Sequence, residues 1–460
     1  MNARDIWLAA GLRTPFARVD GPLAPLDAVG LSVPVIRAMT GGQSAVKPDL
    51  VVWGTVIPNL GYSNIAREIQ IEAGLDQAIP AFSTVLACST SMVAALEAAG
   101  MLGHGGKELA LVGGVECMSR VQIGLSQKFS DWLRRFSQAR SMAQRLALLK
   151  NLRARDIRLH ILAVANRATG KSMGEHCEEM AQAWNIARDS QDKLALASHE
   201  KALAGQKAGF FDDLIVPAEG MSRDGFPRAD TSLERLAKLQ PAFDRTSGKG
   251  TITAGNASPL TDGAAGLWVA TGAGIKRLPG SVPRARLVDW EIAAVNVFTE
   301  GLLMAPAYAI PRMLARNGLT HDDVALWEIH EAFAAQVLCN VAALENAGFR
   351  RGKAGGLRDV LWPVTLPARP GDCSCARACD AWSFGHRRPR LWHGCRRRGV
   401  GKRAGAEAGR VRHRRQRLGA RGGRAHLARV RDPGAGQARR FRDCGVAEGS
   451  CCARRRIRGQ

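Results

Sequence analysis

The chain of 460 residues lacks several features that would assign it to a class at once. It has no run of about 18 apolar residues, so no membrane-spanning helix is predicted. Its first residues do not form the apolar core of a secretory signal, and the cytoplasm is therefore the expected compartment. No glycine-rich fingerprint of the Rossmann or P-loop type occurs. The eleven cysteines are an odd number, which excludes a complete set of internal disulfides.

Lysine is scarce in the last hundred residues, where arginine is abundant. Residues 362–460 contain 26 Lys and Arg, only one of them lysine, against 6 Asp and Glu, whereas residues 1–361 are nearly balanced at 39 against 35. Most of the formal net charge of +24 therefore comes from this tail. The tail follows neither a helical period nor strand alternation. A basic arm for nucleic acid is one interpretation, although such arms usually mix lysine with arginine.

A shifted reading frame is the interpretation that we favour for the tail. Arginine, glycine, alanine and proline share GC-rich codons. Back-translation of residues 361–371, read from the third base of the Leu361 codon, permits a His-Pro-x-Gly-Ala-Thr-Gly string. We therefore expect residues 1–361 to be in frame and most of 362–460 to be out of frame and disordered. No metal site is predicted, because the potential zinc ligands of the tail lack regular pairing and form a chance cluster: Cys373, Cys375, Cys379 and His386.

The in-frame part alternates short apolar runs with helical patterns. This alternation predicts a layered α/β fold with mostly parallel, buried strands. Two strand–turn–helix units, one at Cys88 and one at His330, suggest two related halves. The predicted strands are 50–54, 82–86, 109–113, 266–270 and 324–329. The helix predicted after His330 has its apolar residues on one face: Phe333, Val337, Val341 and Leu344.

Cys88 is the first candidate functional residue. It lies where the apolar run 81–86 meets a cluster of Ser and Thr and then an alanine-rich helical pattern. That order predicts a strand-to-helix turn, where unpaired backbone N–H groups and the positive end of the helix dipole surround the thiol. Both favour the thiolate, which is the nucleophilic form. A buried cysteine that acts as a small apolar residue is the commoner alternative.

A basic segment from about residue 125 to 165 differs from its surroundings. Residues 128–155 include eight basic residues and one acidic residue, and they predict an amphipathic helix or a helix pair. This segment is either a solvated face packed on its own domain or a contact surface for an anionic membrane, an acyl-CoA or a partner subunit. The apolar residues at helical spacing are Phe129, Leu133, Phe136, Met142, Leu146 and Leu149.

Four blocks of sequence together resemble the thiolase family. They are residues 11–18, the Cys88 turn with residues 112–119, residues 250–265, and the His-Glu-Ala-Phe string at 330–333. The resemblance covers nearly all of residues 4–361. It implies an α/β fold of two related βαβαβαββ halves in a layered αβαβα arrangement, with the second half incomplete.

The resemblance also implies a domain organisation. It predicts an N-terminal half at 1–124 and 251–275, a loop domain at 125–250 that carries the basic insertion, a truncated C-terminal half at 281–361, and the Arg-rich tail at 362–460.

The activity implied by the resemblance is that of an acyl-CoA C-acyltransferase. Such an enzyme cleaves a 3-ketoacyl-CoA with CoA, or runs the reverse Claisen condensation, through an acyl-thioester that Cys88 would carry. His330 would help to form an oxyanion site. CoA and acyl-CoA are then substrates, with no permanently bound cofactor. A homodimer or tetramer is expected.

The resemblance assigns CoA contacts to six positions. Arg228 would meet the nucleotide end of CoA. Ala254 and Ser258 would line the pantetheine channel, and apolar walls would come from Met173, Phe243 and Phe333. The simpler alternatives are a surface ion pair for Arg228 and core positions for the two phenylalanines.

Two features refine the resemblance. His330, where many thiolases have Asn, and the basic insertion resemble the β-subunit thiolases of the trifunctional fatty-acid oxidation complex, which would add a hydratase/dehydrogenase α-subunit as a partner. Two motifs of the thiolase family are not legible. The first is a Gly-His-Pro string whose His activates the nucleophile, and here His386 is followed by Arg. The second is a Cys in a glycine-rich loop that moves the proton on the α-carbon, and here Cys395 is followed by three Arg. The alternative function is therefore an impaired relative that binds acyl-CoA or a β-oxidation partner subunit without turnover.

Overall fold

The computed structural model describes residues 4–41, 46–160, 165–346 and 348–349. All of them belong to the first of the two compact units into which the chain divides, Met1–Arg396. The tail at 362–460, with its predicted frame and its cysteine cluster, lies outside the described residues, as does the end of the predicted C-terminal half.

Strands and helices alternate from residue 17 to residue 117, and the remaining described helices come mostly in groups. The strands are β1 (Ile6–Arg13), β2 (Ala17–Arg18), β3 (Leu50–Gly54), β4 (Ala81–Phe82), β5 (Leu109–Cys117), β6 (Gly124–Leu125), β7 (Leu159–His160), β8 (Thr261–Thr271) and β9 (Arg284–Leu287). The α-helices are α1 (Ala28–Thr40), α2 (Ile65–Glu72), α3 (Thr90–His104), α4 (Gln127–Gln138), α5 (Met142–Asn151), α6 (Met173–Ala183), α7 (Arg188–Lys207), α8 (Leu233–Ala237), α9 (Ala305–Arg316) and α10 (Ala334–Glu345).

One mixed sheet organises the first part of the chain. Its strand order is β4-β3-β5-β8-β1-β9, and β2 pairs with β8. Strand β3 runs parallel to β4 and β5, whereas β8 runs antiparallel to β5 and β1. The prediction of mostly parallel strands is therefore wrong for β8 and β9, whereas β1 runs in the same direction as β3, β4 and β5 but has two antiparallel neighbours. Only the crossover units that contain a helix between two strands bring their strands back in the same direction.

The two faces of the sheet carry separate apolar cores. Along β3, Val51 and Trp53 pack with α1, whereas Leu50 and Val52 pack with the alanines of α3. The two pairs of residues lie on opposite faces of the sheet because successive side chains along a strand point to opposite sides. Trp53 is fully buried, which contributes about 1.5–3 kcal/mol, and its indole N–H donates to Ser32 Oγ at 3.1 Å. The result is the predicted layering of helix, sheet and helix.

Three predicted strands are confirmed and two need correction. Residues 50–54, 109–113 and 266–270 lie within β3, β5 and β8. Of residues 82–86 only Phe82 is in a strand, because the following residues form a turn. Residues 324–329 are irregular rather than extended in a sheet. An apolar run becomes a strand only beside a partner that takes its backbone hydrogen bonds, and none of the described strands pairs with this run.

The helix predicted after His330 is α10. It begins at Ala334, with Phe333 as its N-cap residue, and it buries Val337 and Leu344 as predicted. It packs against α6, α7 and α9. The apolar face of α10 therefore joins the loop region to the segment that carries His330.

The basic insertion forms a helix pair. Helices α4 and α5 lie between the two short strands β6 and β7, and Trp132 Nε1 donates to the carbonyl of Leu148 at 2.9 Å. Phe129, Trp132 and Phe136 stack along α4. Neither helix has a fully buried residue, although Phe129, Trp132 and Phe136 are half-buried, so both alternatives for this segment stay open. The exposed apolar side chains are Leu133, Met142, Leu146 and Leu149.

A buried ion pair links β1 to the loop region. Both terminal nitrogens of Arg13 donate to the carboxylate of Asp224, at 2.7 and 2.8 Å, and the N–H of Phe16 donates to the same carboxylate at 2.9 Å. The guanidinium also lies over the Phe16 ring. Block 11–18 is thereby fixed to the segment around residue 224. Among the described residues, no helix is both long and apolar enough to span a membrane.

Candidate active site

Cys88 lies in a tight turn directly before α3. Ala87 has a φ of +45°, which is uncommon for a residue with a side chain and is typical of turns that carry functional groups. The Thr90 hydroxyl donates to the carbonyl of Ala87 at 2.6 Å and accepts from the N–H of Leu86 at 2.8 Å. The turn is thus held at both sides of Cys88, and the thiol is exposed. Cys88 is therefore not sealed in the core, although the protein around it still desolvates the sulfur.

Gly54 permits the turn to lie against the end of β3. A Cβ at this position would overlap the Thr90 methyl group and would lie 2.6 Å from the carbonyl oxygen of Thr84. The turn and the first residue of α3 therefore approach the backbone of β3 too closely for any larger residue. This contact places Cys88 at the carboxyl ends of the parallel strands β3, β4 and β5, where open α/β sheets bind their ligands.

The electrostatics of Cys88 differ from the prediction. Desolvation by the surrounding protein raises the pKa of the Cys88 thiol, its own backbone N–H acts in the opposite direction, and the charge of Glu116 raises the pKa further. The expected stabilisation of the thiolate by the turn is therefore outweighed, and the prediction of a lowered pKa is wrong for this structure. A base must take the proton before the sulfur can react as a thiolate.

Blocks 250–265 and 330–333 meet in the structure. Ala257 and Phe333 form an antiparallel bridge. The N–H of Ser258 donates to the carbonyl of Ala332 at 2.8 Å, and the N–H of Ala334 donates to the carbonyl of Asn256 at 2.9 Å. His330 lies two residues before this short ladder. The ladder therefore sets the position of the backbone that carries the imidazole.

Two buried acids hold block 250–265 in place. Glu178 on α6 accepts from the N–H and the hydroxyl of Thr251 at 2.8 and 2.7 Å, and from the N–H of Ile252 at 2.8 Å. Asp192 on α7 accepts from Asn256 Nδ2 at 2.9 Å. Both acids were missed in the sequence, because a glutamate or aspartate in a helix gives no sign of distant donors.

His330 is half-buried, and desolvation lowers the pKa of its imidazole. The ring is therefore neutral at pH 7, and a neutral imidazole can donate an N–H to an oxyanion without a buried positive charge. The next residue, Glu331, accepts from the Ser198 hydroxyl on α7 at 2.8 Å. A second contact thus fixes the backbone at His330.

The three residues predicted to form an apolar wall lie together, as both the wall and the core alternatives require. Met173, Phe243 and Phe333 belong to one cluster, and the rings of Phe243 and Phe333 meet edge to face at 5.9 Å between centroids. A Cβ at Gly174 would overlap the Phe243 ring, so this glycine permits the close packing. Phe333 is 9% exposed and lies at the edge of the core.

Ala254, Ser258 and Arg228 differ in their surroundings. Ala254 is exposed, and Ser258 is half-buried beside the ladder to Ala332. Arg228 lies on a separate surface segment and pairs with Asp230 at 3.3 Å, as the surface-ion-pair alternative expected. In the parts of the chain that the structure describes, no group of three His, Cys, Asp or Glu could hold a metal ion.

Two family models match successive parts of the chain. The model for the N-terminal domain of thiolase matches residues 6–273, and the model for the C-terminal domain of thiolase matches residues 281–356. The chain belongs to the thiolase family. This thiolase has the mixed α/β fold of the family and is an acyl-CoA acyltransferase.

Similar proteins carry related names. The chain is 36% identical over 359 residues to the 3-ketoacyl-CoA thiolase of Yersinia enterocolitica, covering 76% of this chain and 81% of that protein. It is 36% identical over 370 residues to the 3-ketoacyl-CoA thiolase of Shewanella sediminis, covering 78% and 84%.

Solved structures of thiolases share the fold. The acetyl-CoA acetyltransferase of Bacillus anthracis aligns with a TM-score of 0.64 at 30% identity, over 76% of this thiolase and 85% of that chain. Human mitochondrial 3-ketoacyl-CoA thiolase in complex with CoA aligns with a TM-score of 0.62 at 26% identity, over 75% and 83%.

Proposed function

We propose that this thiolase transfers an acyl group between CoA thiols through a thioester on Cys88. The sulfur attacks the keto carbon of a 3-ketoacyl-CoA, the C2–C3 bond breaks, and its electron pair leaves on the acetyl-CoA enolate, which is then protonated. The thiolate of a second CoA attacks the Cys88 thioester, and the acyl group leaves as acyl-CoA. The reverse sequence is a Claisen condensation. The exposed thiol at the strained turn before α3 is the observation that carries this proposal.

His330 is the proposed oxyanion donor. Its lowered pKa keeps the imidazole neutral, so that its N–H can stabilise the enolate of the leaving acetyl-CoA. The base for Cys88 belongs to the Gly-His-Pro motif of thiolases, which the shifted frame beyond residue 361 would restore.

The CoA site extends from the apolar cluster to the surface. Met173, Phe243 and Phe333 form the wall of the proposed pantetheine channel, with Ala254 and Ser258 along it. An exposed ion pair contributes little to stability, so Arg228 is free to exchange Asp230 for a phosphate of CoA.

The proposed domains are those of the sequence prediction: 1–124 with 251–275, 125–250, and 281–361. The out-of-frame origin of 362–460 belongs to the same proposal. It is supported by the family match, which ends at residue 356, five residues before the composition changes. Genomic sequencing across codon 361 tests it, since an uninterrupted frame without a nearby one- or two-base shift would refute it.

We propose a homodimer or tetramer, in the cytoplasm, that belongs to the β-subunit class of the trifunctional complex. The α4–α5 pair is the proposed contact surface for the α-subunit or an anionic membrane surface, because its apolar side chains are exposed among basic residues. Flotation with vesicles that contain anionic lipid tests the membrane contact, and the variant Met142→Ser with Leu146→Ser should lower the bound fraction severalfold.

Acyl transfer to Cys88 is the direct test of the proposed function. Because the proposed base lies in the restored frame, the wild type for this test is the chain with its frame restored beyond residue 361. It is mixed with an acyl-CoA, and the acyl mass increment is sought on the tryptic peptide 68–107, in which Cys88 is the sole cysteine. The adduct should form in the wild type and be absent in Cys88→Ala. Thiolysis of 3-ketoacyl-CoA is measured beside it. Acyl-CoA binding without an adduct would favour the alternative of a relative without turnover.

A further inference from the structure

Glu116 is a carboxylate that the proposed mechanism leaves without a role. It lies near the end of β5, where Ala110 and Val112 face α3. Side chains alternate along a strand, so Glu116 faces α3 as well. Helix α3 crosses back over the sheet and begins at the carboxyl ends of β3 and β5, next to Cys88. Glu116 therefore projects toward the nucleophile's turn from the sheet below it.

The carboxylate of Glu116 accepts hydrogen bonds from three donors in the loop after β3. The N–H of Val56 donates to it at 3.0 Å, the N–H of Ile57 at 3.3 Å and the hydroxyl of Thr55 at 3.2 Å. Three donors around two oxygens suit an ionised carboxylate, which accepts and cannot donate. This loop follows Gly54 directly, and Gly54 is the residue against which the Cys88 turn packs.

Given Cys88 as the nucleophile, we propose that Glu116 is a positioning residue of the thiolase, which pins the loop 55–57 beneath the turn that carries the reactive sulfur. The charge has a second effect. Desolvation is the larger cause of the raised pKa of Cys88, and the charge of Glu116 acts in the same direction. Burial raises the pKa of Glu116 itself, and its backbone donors act in the opposite direction.

Alkylation of Cys88 measures this effect without substrate. The rate of iodoacetamide labelling on peptide 68–107 is followed from pH 6 to 10 in the full-length wild type and in Glu116→Gln. The variant lacks the charge, so the pH of half-maximal rate should fall and labelling at pH 7.5 should accelerate by roughly threefold to tenfold. Acyl transfer from acyl-CoA should slow, because the amide cannot accept from all three donors and the loop is released.

Two further variants separate charge from position. Glu97→Gln removes another half-buried carboxylate, which accepts from Thr84 in the same turn at 2.9 Å, and its labelling profile should match the wild type. Thr55→Val removes one donor and keeps the charge, so its labelling profile should stay in place while acyl transfer falls severalfold. This variant also carries the test if Glu116→Gln does not fold.

The outcomes distinguish this inference from the proposed function. A wild-type labelling profile in Glu116→Gln, or wild-type acyl transfer in Thr55→Val, would overturn the role of Glu116. Failure of the wild type itself to form an acyl-Cys88 adduct would instead overturn the proposed function, and the labelling profiles would still be readable because alkylation needs no CoA.

Discussion

The turn at Cys88 and the segment at His330 have the same sequence pattern, an apolar run that leads into a helix, yet the structure builds them differently. The Cys88 turn rests on β3 and β5 of a continuous sheet and is locked by the Thr90 hydroxyl. The His330 segment is irregular and is held by a two-bond ladder to residues 256–258. The strands β3 and β5 fix the Cys88 turn. The buried acids Glu178 on α6 and Asp192 on α7 fix the block to which the His330 segment is bonded. The two sites should therefore respond to different substitutions.

Gly54→Ala should have the largest effect, and it should act on the Cys88 turn. The new Cβ overlaps Thr90 and the backbone of Thr84, so either the turn or β3 must move. Overpacking of this kind costs about 1–3 kcal/mol or more, and formation of the acyl-Cys88 adduct should be lost. Thermal unfolding and adduct mass measure the two effects. Gly100→Ala in α3 is the control, because nothing lies within 4 Å of its added Cβ and the exchange should raise the unfolding temperature slightly. An equal loss in both variants would contradict the role of Gly54.

Glu178→Ala should disturb the His330 segment and spare the Cys88 turn. It leaves the N–H and hydroxyl of Thr251 and the N–H of Ile252 without their acceptor, at a cost of about 3 kcal/mol. Thiolysis should fall, whereas the labelling profile of Cys88 should not change. In Glu179→Ala, the control, an exposed pair with Lys171 and a 3.9 Å contact with His176 are lost, and the exposed pair costs at most about 1 kcal/mol. A changed labelling profile in Glu178→Ala would show that the two sites are not separately supported.

The sequence predicted the first site better than the second for a physical reason. Residues 50–54 and 109–113 are short apolar runs whose partner strands are present, so local pattern was enough to predict both strands. The position of Cys88 before a helix followed from local pattern as well. Residues 324–329 have the same pattern, but whether they form a strand depends on a distant neighbour. Glu116 and Glu178 were not predictable, since their donors at 55–57 and 251–252 are about sixty and seventy residues away in sequence.

Thr90→Val should loosen the Cys88 turn by a smaller amount. The hydroxyl that donates to Ala87 and accepts from Leu86 is lost while the shape is kept, which should cost about 1–2 kcal/mol. Without the lock, Ala87 can leave its left-handed conformation and acyl transfer should slow. Thr90→Ser retains the hydroxyl and should recover most of the rate. Equal rates in the two variants would show that the bond is not what holds the turn.

The smallest expected effect is a difference between the two sites in how the free energy of unfolding depends on pH. His330 has a lowered pKa when folded, so the folded chain binds fewer protons there than the unfolded chain does. Its contribution to stability is complete above the ordinary pKa of about 6.5 and is lost as the pH falls below it, by at most about 1.4 kcal/mol per pH unit. Cys88 has a raised pKa and stays protonated in both states over this range, so it adds no slope.

Urea unfolding from pH 7.5 to 5.5 should therefore show a smaller loss of stability in His330→Asn than in the wild type. The same comparison with Cys88→Ser should show the wild-type slope. If His330→Asn kept the full slope, the imidazole would not be the buried neutral donor on which the oxyanion role depends.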